Sequence, residues 1–289
     1  MDCYLFIDFG STYTKVTLVD IENEEIVGTG KSYTTVETDV TIGYNNALEK
    51  LFSKVKGEVN IIKKLACSSA AGGLKIIAIG LVPELTAEAA KRAALGAGAR
   101  VIKTYSHNLN NSELLEIKNS DADMILLAGG TDGGNAECII HNAGMIAKHN
   151  IQIPVVVAGN KSCNDDIKDT FEGKIEYYFT ENVMPNLNNI NVEPARETIR
   201  SIFMKQIVNA KGMEHVEESI SEILMPTPAS VLKAAEVLSK GTKDEFGIGD
   251  LAVIDIGGAT TDIHSIGEGA PSKPSVILRG LEEPIAREL

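Results

Sequence analysis

Runs rich in apolar and β-branched residues occupy 3–9, 14–20 and 25–33, and short stretches of turn-forming residues separate them. This pattern predicts a β-meander with Gly10-Ser11-Thr12 at its first turn. A helix is predicted over 43–56, because Ala47, Leu48, Leu51 and Phe52 share one face at helical spacing. Residues 61–67 and 75–80 read as further strands around a Ser/Ala/Gly-rich turn at 68–73, and Pro83 fits the start of a helix over 84–95. From about 97 to 180 the pattern changes. Strand-like runs at 100–105, 124–128, 155–158 and 176–179 alternate with helix-like runs at 112–118, 135–148 and 162–172. That alternation predicts a parallel βαβ sheet, which reads as a separate inserted subdomain. Helical stretches at 194–210 and 228–238 follow, and 251–266 returns to a β-hairpin pattern. No repeat of fixed period and no low-complexity tract interrupts this order.

Composition narrows the picture. With 289 residues, 44% of them hydrophobic, the chain can bury a sizeable core as one large domain or two ordinary ones. A formal charge of -13 and a pI of about 4.9 repel nucleic-acid phosphates and anionic membranes at long range, and Lys and Arg are scattered apart from pairs such as Lys63-Lys64 and Lys91-Arg92. Neither nucleic acid nor a membrane is expected as a partner. Cys3, Cys67, Cys138 and Cys163 lie far apart without a C-x-x-C pair, so they read as small buried thiols of a reducing compartment. The N-terminus has no basic leader, and no apolar stretch is long enough to cross a bilayer. The expectation is a soluble cytoplasmic protein.

Two hairpins carry the chemistry. The first is Ile7-Asp8-Phe9-Gly10-Ser11-Thr12-Tyr13-Thr14-Lys15, and the second is Ile254-Asp255-Ile256-Gly257-Gly258-Ala259-Thr260-Thr261-Asp262. Each has an apolar strand ending in Asp, a tight turn of small residues, and an outgoing strand. Converging backbone N–H groups can hold a phosphate chain where small residues let the backbone come close. The hydroxyls of Ser11, Thr12, Thr260 and Thr261 can add donors. Asp8 and Asp255 repel phosphate but can hold Mg²⁺ through its waters, and Lys15 can neutralise a phosphate oxygen. A single Asp-x-Gly turn is common. Two matching ones about 245 residues apart are much harder to obtain by accident.

The pair resembles the phosphate-1 and phosphate-2 loops of the actin, Hsp70 and sugar-kinase superfamily. That resemblance implies an α/β fold with an actin/Hsp70-like, ribonuclease H-like core that clamps ATP or ADP with Mg²⁺. It makes Asp8 and Asp255 the Mg²⁺-water ligands. Gly10, Ser11, Thr12 and Tyr13 with Gly257, Gly258, Ala259 and Thr260 become the phosphate cradle. Lys15 becomes a phosphate contact, and Asp262 an acidic group near the metal or the attacking water. A closer resemblance is carried by 67–74 (CSSAAGGL), 80–90 (GLVPELTAEAA), 96–99 (GAGA) and 126–135 (LLAGGTDGGN). These are similar to the glutamate mutase accessory proteins, called MutL in that pathway and unrelated to mismatch repair. This implies an ATP-dependent, chaperone-like factor that releases damaged cobalamin from adenosylcobalamin-dependent glutamate mutase, with the mutase subunits as partners and phosphoanhydride hydrolysis as its chemistry. The implied organisation is 1–96 with the first hairpin, 97–190 inserted, 191–245 a helical connection, and 246–289 the start of a second ATPase-type subdomain. In the superfamily a Gly-Gly turn that contacts adenosine lies downstream of phosphate-2. Only 27 residues follow Asp262 and none forms it, so the core is expected to be incomplete at its C-terminus.

Other readings stay open on the residues themselves. A small-molecule kinase of the same superfamily needs a substrate-pocket base that no pattern here supplies. A truncated fragment without nucleotide affinity is a further alternative. Asp262-Ile263-His264-Ser265-Ile266-Gly267 spells D-x-H-x-x-G, a cobalamin-ligating string in the mutases themselves, but here it runs along a strand and reads as chance overlap. The loop at 128–135 sits where open α/β sheets bind ligands, and equally fits a tight turn capped by Asp132 or Thr131. Asp132 and Glu137 are candidates for orienting a water. His107, His141, His149 and His215 show no metal spacing.

Overall fold

The computed structural model describes residues 1–35, 38–69, 74–187, 189–208, 220, 222–258, 261–267 and 286–288. The chain is α/β. Its strands are β1 (Asp2–Phe9), β2 (Tyr13–Asp20), β3 (Glu25–Tyr33), β4 (Asn60–Ser68), β5 (Lys75–Gly80), β6 (Arg100–Ser106), β7 (Met124–Leu127), β8 (Val155–Val157), β9 (Tyr177–Phe179), β10 (Glu222–Pro226), β11 (Leu251–Ile256), β12 (Thr261–Ile266) and β13 (Ala286–Glu288). Its helices are α1 (Val40–Phe52), α2 (Glu88–Gly96), α3 (Asn111–Lys118), α4 (Glu137–Lys148), α5 (Asn164–Phe171), α6 (Glu193–Val208) and α7 (Thr227–Lys240). They fall into two compact units, one of Met1–Gly73 with Ser201–Ser265 and one of Leu74–Arg200 with Ile266–Glu288. Among the described residues no helix is long and apolar enough to cross a membrane.

The first unit is built on a five-stranded sheet in the order β3-β2-β1-β4-β10. β1, β2 and β3 form the expected antiparallel meander, while β4 and β10 run parallel to β1. Only the second of the five strands is reversed, which is the ribonuclease H-like arrangement that the resemblance implies. Alternation along β1 buries Cys3, Leu5, Ile7 and Phe9 on one face, and Val16 and Leu18 of β2 join them. α1 lies over this face. Asp39 caps it by accepting from the Thr41 amide at 2.8 Å, so the helix begins three residues before the expected position 43. Its buried stripe is Val40, Gly43, Tyr44, Ala47 and Leu51. Ala47 and Leu51 are thus in the face the sequence predicts, whereas Phe52 is 42% exposed, because one residue past Leu51 turns it about 100° away from the sheet. Close approach of α1 to β3 depends on Gly30, where a Cβ would collide with the Ala47 carbonyl oxygen.

The second unit has five parallel strands in the order β6-β5-β7-β8-β9. Parallel strands covered on both faces read as continuous apolar runs, and all of β7 and β8 and most of β5 are buried. Ile77, Ile79, Ile125, Leu127, Val155 and Val157 pack with Leu114, Ile117, Ile139, Ile146 and Phe171 into one core. Residues 75–96, grouped with the first hairpin in the sequence reading, carry β5 and α2 of this second unit, because β5 pairs with β6 and β7. One turn of π-helix, Pro83–Ala87, leads into α2, and its Ala87 amide comes so close to Gly80 that no Cβ fits there. Chain reversal makes the gap between β5 and β7 the topological switch point of this sheet.

Gly30→Val puts a branched side chain into the contact between β3 and α1. The expected outcome is a loss of about 2–3 kcal/mol in stability, read from denaturant unfolding of the first unit's signal.

Candidate functional site

The first hairpin closes on a turn that only a glycine fits. The Gly10 amide donates to the Tyr13 carbonyl at 3.1 Å, and a Cβ on Gly10 would stand 2.7 Å from that same oxygen. Thr34, buried at the end of β3, braces the turn from behind. Its amide donates to the Thr12 carbonyl at 3.0 Å, its hydroxyl donates to the Gly10 carbonyl at 2.6 Å, and the Thr14 hydroxyl donates to it at 3.2 Å. The Gly10, Thr12 and Tyr13 carbonyls are therefore engaged with the protein. Among the described residues the Ser11 and Thr12 amides donate to no protein acceptor. Tyr13 lends the turn its backbone, while its ring stacks on Tyr33 with centroids 4.7 Å apart under the Lys31 ammonium.

Asp8, one residue before the end of β1, is the centre of the site. Its Oδ2 lies 3.1 Å from Lys15 Nζ, the residue directly opposite on β2. Its Oδ1 accepts from the Thr227 hydroxyl at 2.9 Å and from the Cys67 thiol at 3.7 Å. Cys67 stands beside Asp8 in the β1–β4 register, and Met225 beside Cys67 in the β4–β10 register, so three parallel strands finish on one edge. α7 begins at Thr227, immediately past that edge. Burial by itself would lower the Lys15 pKa, but Asp8 and, behind it, Asp255 outweigh burial and raise it, so the ammonium stays charged. Thr227, Thr34 and Cys67 were not among the expected site residues. Cys67 departs from the expected plain core thiol by being only half-buried and facing a carboxylate, whereas Cys3, Cys138 and Cys163 are buried as expected.

The second hairpin belongs to the same unit. Asp255 is close enough to act on Lys15, and a Cβ on Gly258 would lie 2.5 Å from Thr12 Oγ1, so the two turns meet where neither has a bulky side chain. Gly257 lies exposed at the start of the second turn, and Ala259 and Thr260 lie outside the described residues. Asp8, the 10–13 turn, Lys15, Asp255 and Gly258 are thus brought together. Asp262 sits farther along β12, where its charge acts on His264. His264 is fully buried, and among the described residues neither of its ring nitrogens has a hydrogen-bond partner. Burial lowers its pKa against the opposing pull of Asp262 and Asp255, and a ring so enclosed is in no position to ligate a large corrin. Among the described residues no three His, Cys, Asp or Glu side chains converge as a direct metal-binding set. Two carboxylates, an ammonium and free turn amides instead form a donor set that fits a phosphate chain with a hydrated cation.

The 128–135 loop lies at the switch point of the second unit and is tied down by two buried asparagines. Asn160 accepts from the Gly133 amide and donates to the Gly134 and Asn135 carbonyls, and Asn182 donates to the Gly130 carbonyl and to Asp132. Neither Thr131 nor Asp132 caps α4, as the sequence suggested. Asp132 is taken up by the Lys161 amide and Asn182, and Asn135 accepts from the Cys138 amide instead. His141 bonds the Leu109 carbonyl, and His215 lies outside the described residues.

Burial, and then the Asp8 charge, push the Cys67 thiol from 9.0 up to about 11. At pH 8 about one thiol in a thousand is ionised. Alkylation of Cys67, followed by mass spectrometry, is expected to run at least about a hundredfold slower in the folded than in the unfolded protein, and to accelerate as the pH approaches 11. Asp8→Asn shifts that acceleration to lower pH. Because the folded pKa is the higher one, the group's contribution to stability is complete below pH 9 and is lost as the pH rises toward 11.

A curated relative, "Protein MutL" of Clostridium tetanomorphum, is 66% identical over 289 residues, covering 99% of this chain and 63% of its own length. The chain therefore spans less than two thirds of that relative. Among solved structures, a nucleotide-free acetone carboxylase described under ATP-dependent acetone carboxylation is 15% identical, with a TM-score of 0.38 over 99% of this chain and 47% of that one. An activator of 2-hydroxyisocaproyl-CoA dehydratase from Clostridium difficile with bound ADPNP is 14% identical, with a TM-score of 0.20 over 77% of this chain and 99% of that one. At these scores neither likeness bears on the fold or the site. The family described as MutL protein matches residues 4–288, nearly the whole sequence, and the chain belongs to that family.

Proposed function

We propose that this chain is the phosphate-clamping part of an ATP-dependent reactivating factor for adenosylcobalamin-dependent glutamate mutase, a cytoplasmic protein whose partners are the mutase subunits. The observation that carries the reading is the meeting of two matched turns in one unit, with Gly258 against Thr12 and both Asp8 and Asp255 acting on Lys15. In this reading the Ser11 and Thr12 amides donate to phosphate oxygens, and Lys15 neutralises one of them. Asp8 and Asp255 orient the waters of Mg²⁺, and Asp262 stands near the attacking water. Mg-ATP, when bound, supplies the phosphoanhydride whose hydrolysis drives release of damaged cobalamin. The protein contributes position and charge more than a strong nucleophile. The sequence motifs of the family supply the client, and the net charge of -13 favours neither nucleic acid nor an anionic membrane.

Mg-ADP is expected to raise the melting temperature by several degrees, since a ligand bound to the native state adds to its stability. Asp8→Asn and Asp255→Asn are each expected to abolish the shift. Phosphate release without any added acceptor is expected, and about a hundredfold less of it from Asp8→Asn. Absence of any shift defeats the nucleotide reading, and turnover only after adding a small-molecule acceptor turns it into a kinase. Co-purification with glutamate mutase subunits tests the client.

A further inference from the structure

Asp8 is held from three directions, and the three donors differ in how firmly they are themselves held. Lys15 is a flexible ammonium whose side chain is 51% exposed, against 22% for Asp8. Cys67 lies inside a strand paired on both sides, but a thiol 3.7 Å away is a weak donor. Thr227 is a strong donor at 2.9 Å, and its backbone is fixed between the last residue of β10 and the first turn of α7. It reaches Asp8 from 219 residues away. In the structure Asp8 and Lys15 neutralise each other, so two groups needed for an anionic ligand and its cation are engaged with one another. Binding a phosphate draws Lys15 away from Asp8. The carboxylate then needs another partner to keep one oxygen fixed and the other free to face a hydrated cation.

We propose that Thr227 is the positioning residue of this site. Its hydroxyl fixes Asp8 Oδ1, leaving Oδ2 to change partners from Lys15 to the waters of a divalent cation when a phosphate takes Lys15. Thr227 touches neither phosphate nor cation in this arrangement and acts through Asp8. The assignment rests on the nucleotide reading above, and names the residue that links cation binding to the start of α7.

The test is the Mg²⁺ concentration that half-saturates binding of a fluorescent ADP analogue to the wild-type protein, Thr227→Ala and Thr227→Ser, with melting temperatures measured alongside. Thr227→Ala is expected to raise the half-saturating Mg²⁺ about tenfold, the scale of a lost hydrogen bond to a charged group, while analogue affinity in excess EDTA stays at the wild-type value. Thr227→Ser keeps the hydroxyl and is expected to restore the wild-type Mg²⁺ dependence even if its melting temperature differs. A purely structural role would move the melting temperatures and weaken binding equally with and without Mg²⁺, which overturns the proposal. So does an unchanged Mg²⁺ dependence in Thr227→Ala, or a serine variant as defective as the alanine one. If the wild-type protein binds no analogue at any Mg²⁺ concentration, the nucleotide reading itself fails and takes this assignment with it. Wild-type binding with indifferent variants removes the assignment alone.

Discussion

A carboxylate set at the end of a sheet strand and largely withdrawn from water loses hydration that only hydrogen bonds and opposite charge can replace. Asp8 is in that position, and the first unit is arranged around supplying its partners. The β1–β2 register puts Lys15 directly across from it. The parallel pairing of β4 puts Cys67 beside it, and that of β10 delivers Thr227 one residue past the sheet edge. A one-residue slip in any of these pairings would turn the donor to the other face of the sheet and leave the charge short of a partner. The same registers that bury Leu5, Ile7 and Phe9 on one side therefore fix the chemistry at the edge.

The two units use different strand logic, and the sequence carries both. The meander of the first unit has alternating faces, one under α1. The second unit's central strands β5, β7 and β8 are apolar nearly throughout, as expected where helices cover both faces of a parallel sheet. Strand and helix periodicities were legible for that reason, as were the two turns, whose small residues are dictated by close backbone approach at Gly10 and Gly258. What stayed hidden depends on tertiary pairing. β10 is five residues long, pairs among the described residues with β4 alone and ends in proline, so no local period marks it. Thr227 and Thr34 become site residues only once β10 and β3 are in place. Phe52 looks like core in a helix predicted to run to 56, but the stripe fixed by Val40, Tyr44, Ala47 and Leu51 excludes it.

The boundary near residue 74 is a further case. Its neighbours on both sides are strands, and nothing local distinguishes β4, which extends the first sheet, from β5, which founds the second. Only the partner strands decide: β4 joins β1 before it and β10 after it, while β5 joins β6 and β7, so both assignments draw on strands later in the chain.

That order has a consequence during synthesis. Asp8 and Lys15 leave the ribosome within a few residues of each other and can pair at once, whereas Thr227 follows 219 residues later, after the whole stretch Leu74–Arg200 has been made. At roughly 5–20 residues per second the wait is about ten to forty seconds. Through that interval the nascent meander carries its own counter-ion but lacks β10 and α7, so the Asp8–Lys15 pair acts as a placeholder that keeps an unfinished edge neutral until the strand that completes it arrives.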